Sequence, residues 1–144
     1  MTTASQTTTE PRTQPFATVT LQVDIPLLRI ADLVSAGIEA GSSATFMVAG
    51  YKKPPLVTFR YYEKELIKHL DYPLNEGGAV LLVVRCDDDD TKQYPLTLES
   101  MKAGLAVFQQ KAPHQFKAFM EENEDALTGD CFLQCCLLGE VVYG

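Results

Sequence analysis

The residues best suited to metal binding or nucleophilic chemistry are four cysteines and two histidines. Three thiols crowd one C-terminal segment, at Cys131, Cys135 and Cys136. Zinc needs three or four ligands close together, and the remaining candidates are distant in sequence and form no Cys-x-x-Cys pair. They are Cys86, His69 and His114. Because the clustered thiols stand in an apolar run, we expect packing residues of a buried helix, and predict neither a metal nor a cofactor.

The common catalytic and nucleotide-binding motifs are missing from the chain. It has no Gly-x-x-x-x-Gly-Lys-Ser/Thr loop, no Gly-x-Gly-x-x-Gly, no His-Glu-x-x-His and no Gly-x-Ser-x-Gly. Two histidines also leave few candidates for general-base chemistry. We therefore predict that the protein is not an enzyme and assign no catalytic residue.

Carboxylates form the main candidate interaction surface. The net charge is −7, and residues 86–144 carry four lysines against eleven Asp and Glu, so the whole excess lies there. The chain does not match a calcium loop, since Lys92 and Leu98 replace the glycine and glutamate that an EF-hand begun at Asp87 requires. The cluster is either a solvated surface or an acidic contact surface. Its members are Asp87, Asp88, Asp89, Asp90, Glu121, Glu122, Glu124 and Asp125.

A second candidate surface interleaves basic and aromatic residues in the range 51–64. Single-strand nucleic-acid binders stack bases on aromatic rings beside positive charge. Alternation also places Val57, Phe59 and Tyr61 on one strand face, as in a core strand, and we favour that structural interpretation. The alternative nucleic-acid patch consists of Lys52, Lys53, Arg60 and Lys64.

Length and composition predict one cytoplasmic domain. The 144 residues are 46% hydrophobic, which is ordinary for a globular domain. Residues 1–15 are rich in Thr, Ser, Gln and Pro and are expected to be a disordered arm, with a single domain at 16–144. We find no apolar run long enough for a membrane span and no secretory signal, and therefore expect no membrane association.

Hydrophobic patterning predicts an α+β fold with a small, mostly antiparallel sheet of about four to five strands. Strands are expected at 16–23, 44–49, 56–62, 79–85 and 93–96, with 79–85 central and Pro95 holding its strand at an edge. A first helix should begin after an Asp24 cap and end at Gly41. About three C-terminal helices follow, the first capped by Thr97, the second beginning at Pro113 and the third ending at Gly139. A short helix near residue 67 is less clearly marked.

The C-terminal run resembles a known ending. The pattern Asp130-x-Phe-Leu-Gln-x-x-Leu-x-Gly-Glu-x-x-Tyr-Gly144 is similar to the end of small, acidic, uncharacterised proteins of tailed bacteriophages and prophages. Residues 31–42, 72–78 and 98–125 resemble other segments of these proteins. One departure is that the chain has no Trp, and that Ser43–Phe46 stands where relatives carry aromatic residues. The resemblance implies a virus-encoded accessory protein acting inside a bacterium.

Two classes of function follow. The first is a phage-encoded accessory protein that binds a host or viral protein in the host cytoplasm, with inhibition of a defence system of the CRISPR or restriction kind as one role. The alternative is an accessory factor of phage DNA replication or recombination that contacts single-stranded nucleic acid, although net acidity disfavours nucleic acid as a partner. The sequence leaves a homodimer open.

Overall fold

The computed structural model describes residues 11–61, 66–85 and 92–144, and its architecture is α+β. Three strands and five helices form its regular structure in those ranges, with short 3₁₀ turns at Pro11–Thr13 and Gly41–Ser43. The strands are β1 (Phe46–Lys52), β2 (Ala79–Val84) and β3 (Tyr94–Leu96). The helices are α1 (Leu27–Ile38), α2 (Lys68–Asp71), α3 (Leu98–Lys111), α4 (Pro113–Met120) and α5 (Ala126–Leu138).

The sheet is antiparallel and has the order β1-β2-β3. Met47 pairs with Val83 and Leu81 pairs with Pro95, and the β1 register shifts between Val48 and Gly50. The central position of β2 is confirmed, as is the edge position of the strand that contains Pro95. A proline has no backbone N–H to donate to a further strand, so it is tolerated only at such an edge.

The three C-terminal helices are confirmed, as are the predicted Thr97 cap of α3, the start of α4 at Pro113 and the end of α5 at Gly139. The Thr97 side chain accepts a hydrogen bond from Ser100 N at the start of α3. At the start of α5, the Asp125 side chain accepts a hydrogen bond from Thr128 N. Gly139 ends α5 with φ 78°, in the left-handed region that glycine adopts without a steric penalty.

The predicted cap of the first helix is wrong. Helix α1 begins at Leu27, its N-cap is Pro26, and no side chain caps it. Pro26 O instead accepts the first backbone hydrogen bond, from Arg29 N. The helix ends at Ile38, and Gly41, with φ 70°, starts the following 3₁₀ turn rather than closing the helix.

The prediction of four to five strands is also wrong, because two of the expected strands do not form. Residues 16–23 lie outside any helix or strand, and so do residues 56–61. The stretch 56–61 is hydrogen-bonded all the same, but to side chains. Asn75 Oδ1 accepts from Thr58 N at 2.5 Å and from Phe59 N at 3.2 Å. Asp71 Oδ1 accepts from Tyr61 N at 2.5 Å.

The Asp71 and Asn75 side chains are buried, and they supply the hydrogen-bond partners that a neighbouring strand would otherwise supply. Asp71 also accepts from Ile67 N at 2.8 Å, and the Asn75 amide donates to Phe59 O at 3.2 Å. Both side chains therefore have hydrogen-bond partners, as their removal from water requires. In the stretch around residue 67, where the sequence marks no element clearly, the structure has the short helix α2, which ends at Asp71, and Asn75 lies in the turn that follows.

The core lies between the sheet and the helices, with α5 in the middle. Helix α5 packs against α1, α3, α4 and β3, and its residues from Thr128 to Cys135 are all buried. None of the helices in the described part of the chain is both long and apolar enough to span a bilayer. The largest fully buried hydrophobic side chains are Phe108, Phe119, Phe132, Leu33, Leu70, Leu82, Leu96, Met101 and Leu133.

Replacing Asn75 with alanine should lower the free energy of unfolding by about 3 kcal/mol, because it removes the buried side chain that accepts from the N–H groups of Thr58 and Phe59 and donates to Phe59 O. Urea denaturation followed by circular dichroism measures the change. Asn123→Ala is the matched control, since Asn123 is exposed, and should change stability by less than about 0.5 kcal/mol. Equal effects of the two substitutions would contradict a structural role for the Asn75 side chain.

Candidate protein-binding surface

A buried polar cluster connects α5 to β1 and to the C-terminal residues. Asp130 accepts from Thr45 N at 2.7 Å and from Thr45 Oγ1 at 2.6 Å. Gln134 Nε2 donates to Asp130 Oδ2 and to Tyr143 O, both at 3.0 Å. Gln134 Oε1 accepts from Val142 N at 2.8 Å. The backbone of Val142 and Tyr143 is thus held against α5 by one glutamine.

An open groove of about 420 Å³ lies beside this cluster. The Asp130 carboxylate at its edge is 5% exposed and already accepts three hydrogen bonds. Arg85, also on the rim, donates from Nε to Ala44 O and from Nη2 to Gly41 O, both at 3.1 Å. The charged groups of the groove are therefore engaged in holding the chain together, and their arrangement does not form an acid–base pair.

The surroundings of the three C-terminal cysteines disfavour their thiolate forms. Burial raises the pKa of the Cys135 thiol from 9.0 to about 11. Burial also raises the pKa of Cys131, with a smaller effect from the nearby Asp130 and Asp125 charges. The pKa of Cys136 is likewise raised, mainly by burial. Since the thiolate is the reactive form, these side chains act as packing residues, as the sequence predicts.

The acidic candidate surface divides into residues with different roles. Asp87, Asp88, Asp89 and Asp90 lie outside the described residues. Glu121 and Glu122 are exposed after the end of α4. Glu124 and Asp125, in contrast, are used within the chain: Asp125 caps α5 and Glu124 binds Arg29.

The Arg29–Glu124 contact joins the start of α1 to the α4–α5 loop. Arg29 Nη1 donates to Glu124 Oε2 at 2.5 Å and Nη2 donates to Glu124 Oε1 at 3.0 Å, a two-point contact between groups that are 19% and 13% exposed. Arg29 also donates to Phe119 O and stacks 4.6 Å from the centre of the Phe119 ring. The hydrogen bond from Arg29 lowers the pKa of the Glu124 carboxyl.

The basic candidate patch lies at the far end of β1. Lys52, Lys53 and Arg60 are exposed, whereas Lys64 lies outside the described residues. The Lys68 ammonium stands 5.8 Å from the centre of the Tyr51 ring, which packs edge-on against Tyr72.

Sequence reasoning missed a set of apolar depressions around α3. One of about 180 Å³, here called the α3 pocket, lies between the start of α1 and the first turns of α3. Its lining is Ile25, Leu27, Ile30, Leu74, Leu98, Met101, Lys102 and Leu105. Leu27 and Leu105 each stand at helical spacing from buried residues of the same helix, but Leu27 is 39% exposed and Leu105 is half-buried. A sequence signal that could have found this site is the apolar Leu27-Leu28 pair in the first turn of a helix.

A larger open groove of about 740 Å³ continues from the α3 pocket along α3 and α4. Residues of 19–25 form one wall, while Leu105, Ala106, Gln109 and Phe116 form the other. Ile25 and Leu105 line both depressions. The apolar surface around α3 is therefore continuous, and exposed apolar surface of this kind makes it the candidate contact site of the molecule.

Within residues 11–61, 66–85 and 92–144, no group of three or more His, Cys, Asp or Glu side chains is placed to hold a metal ion. Comparisons of the chain with protein-family models, with curated proteins and with solved structures gave no match.

Cys135 should be alkylated by iodoacetamide at pH 8 at least about 100-fold more slowly in the native protein than in urea, since a pKa near 11 leaves that much less thiolate than a pKa near 9. Peptide mass spectrometry after timed quenching gives the rate at each cysteine. The native rate should rise about tenfold per pH unit up to the raised pKa. Equal rates in the native and unfolded protein would place Cys135 outside the core.

Glu124→Gln should lower the free energy of unfolding by about 1 kcal/mol at pH 7. Because the folded pKa of Glu124 lies below its unfolded value, the ion pair stabilises the protein fully above the unfolded pKa. The difference between wild type and variant should then shrink as the pH falls through the folded pKa. Urea titrations at several pH values measure it, with Glu121→Gln as the exposed control. A difference that grows at low pH would contradict the ion pair.

Proposed function

We propose that the protein is a phage-encoded accessory protein that acts in the bacterial host cytoplasm by binding another protein through the α3 pocket. The observation that carries the proposal is the apolar pocket itself. Its lining includes the partly exposed Leu27, and it lies between the start of α1 and the start of α3. At about 180 Å³ the pocket is smaller than the roughly 300–1,000 Å³ of a small-molecule site. It is on the scale of an anchoring side chain at a protein interface.

The charge distribution supports a basic partner. The net charge of −7 lies entirely within residues 86–144, the range that supplies α3 and the exposed Glu121 and Glu122. An acidic surface accelerates encounters with a basic protein and disfavours acidic ones. We therefore infer a basic partner that places an apolar side chain in the α3 pocket. Its positive charge is drawn to the exposed Glu121 and Glu122, because the one charged residue that lines the pocket is Lys102.

The role we propose is inhibition of a host defence system of the CRISPR or restriction kind. Nuclease components of such systems bind nucleic acid through basic surfaces, and these are surfaces that an acidic protein can contact. The phage-like C-terminal ending, from Asp130 to Gly144, supports an origin in a tailed phage or prophage. The ending acts in the fold through Asp130 and Gln134, away from the α3 pocket.

One observation bears on the nucleic-acid alternative. Lys68 beside the Tyr51 ring adds a positive charge to Lys52 and Lys53 at the end of β1. Under this alternative the protein retains single-stranded DNA in a gel shift at low salt, and Lys52→Glu with Lys53→Glu abolishes the retention. Absence of a shift for the wild type removes the alternative.

Leu27→Glu should weaken binding of the partner at least about 30-fold, because it places a charge at the edge of an apolar pocket that the partner fills. Capture from phage-infected bacteria identifies the partner, and titration calorimetry with the purified partner gives the affinity. Leu28→Glu is the matched control, since Leu28 is the next residue, is also exposed, and does not line the pocket. Equal affinities for the Leu27→Glu variant and the wild type would overturn the proposal.

A further inference from the structure

Residues 16–23 have the composition of a strand but no strand partner within the described chain. Here they are called the unpaired segment. Val19, Leu21 and Val23 are 76%, 78% and 52% exposed. No backbone N–H or C=O of the segment is hydrogen-bonded to another described residue. The segment also contains no charged residue, so nothing in it opposes pairing with a similar strand.

The pattern of the unpaired segment is symmetric about Thr20. Ala17, Val19, Leu21 and Val23 alternate with Thr18, Thr20 and Gln22. If two copies pair antiparallel with Thr20 opposite Thr20, Val19 lies opposite Leu21 and Ala17 lies opposite Val23. All these side chains then point to one face, because alternate residues of a strand share a face. Thr18, Thr20 and Gln22 form the other face, where Thr18 lies opposite Gln22.

We propose that the unpaired segment is a homodimerisation strand, which pairs antiparallel with the same segment of a second copy about a two-fold axis at Thr20. The hydrogen-bonding groups left open in one chain are satisfied by the other. The apolar face of the resulting ribbon covers the groove along α3 and α4, whose far wall includes Leu105, Ala106 and Phe116. An interface of this kind uses the same patch on both copies and is closed by the two-fold axis.

A stable dimer has to bury more surface than strand pairing provides, so the groove must take part in the interface. Two seven-residue strands, about 23 Å long and about 10 Å deep, bury roughly 500 Å² where their edges meet. A stable interface buries about 1,200 Å² or more. Strand pairing alone is therefore too small, and the apolar face has to pack on the helices as well. The groove of about 740 Å³ beside the segment offers space for the side chains of the second strand.

The choice of a second copy follows from this self-complementarity. A charged partner finds no opposite charge in the segment, whereas its own sequence supplies an apolar residue opposite every apolar residue from 17 to 23. The proposal does not depend on the partner of the α3 pocket, because Leu27 lies outside the pairing segment and the two sites are tested by different substitutions.

Cysteine cross-linking tests both the pairing and its register. In the proposed register Thr20 faces its own copy with Cα atoms about 4.5–5.5 Å apart, within disulfide range. Thr18 is about 13 Å from its own copy. Thr20→Cys should therefore form a covalent dimer under mild oxidation, while the wild type and Thr18→Cys should not. Monomeric Thr20→Cys protein, or equal cross-linking of the two variants, would overturn the proposal.

Substitutions that place opposite charges on the two chains provide a second test of the pairing in solution. Val19→Lys and Leu21→Glu should each raise the dimer dissociation constant at least about tenfold, as measured by sedimentation equilibrium. An equimolar mixture of the two variants should recover dimer, because Lys at 19 of one chain then faces Glu at 21 of the other. Gln22→Lys, on the opposite face, is the control and should dimerise as the wild type does. A wild type that sediments as a monomer, or a mixture with no recovery, would refute the pairing.

Discussion

The burial of α5 is the constraint on which the rest of the structure depends. A helix surrounded by α1, α3, α4 and β3 needs close approach on several sides, and small residues allow it. A Cβ on Gly129 would lie 2.3 Å from Gly37 N, and a Cβ on Gly104 would lie 2.3 Å from Cys136 Sγ. Both distances are too short for real atoms. Helices α1 and α3 can therefore approach α5 this closely only because α5 has a glycine, Gly129, at its contact with α1 and α3 has a glycine, Gly104, at its contact with α5.

The same burial dictates how the polar residues of α5 are used. Asp130 and Gln134 are nearly or fully removed from water, so their hydrogen bonds have to be made within the protein. Those bonds reach Thr45 before β1 and the backbone of Val142 and Tyr143. As a result, one helix fixes the approach to the sheet and folds the C-terminal residues back onto itself. The C-terminal run therefore contributes both to the core and to the connections of the core with β1 and the C-terminal residues.

Local signals made α3, α4, α5, β2 and β3 predictable, because caps, periodicity and a proline at an edge act over a few residues. The two missing strands were not predictable in this way. Alternation indicates that a segment has two faces, but it does not indicate which strand pairs with it, and 16–23 finds none within the described chain. At 56–61 the partners are two side chains, Asp71 and Asn75. Charge counting likewise could not separate the exposed Glu121 from Glu124, whose partner Arg29 is 95 residues away.

The apolar surface around α3 was hidden from sequence reasoning for a related reason. Helical periodicity identifies an apolar stripe, but only the packing decides whether a stripe is covered along its whole length. In α3, Met101 and Phe108 are covered, whereas Leu105 between them lines two open depressions. Ile25 lines the same two depressions from the other side. Ile25 follows the unpaired segment by two residues, so the chain passes directly from that segment into the wall of the α3 pocket.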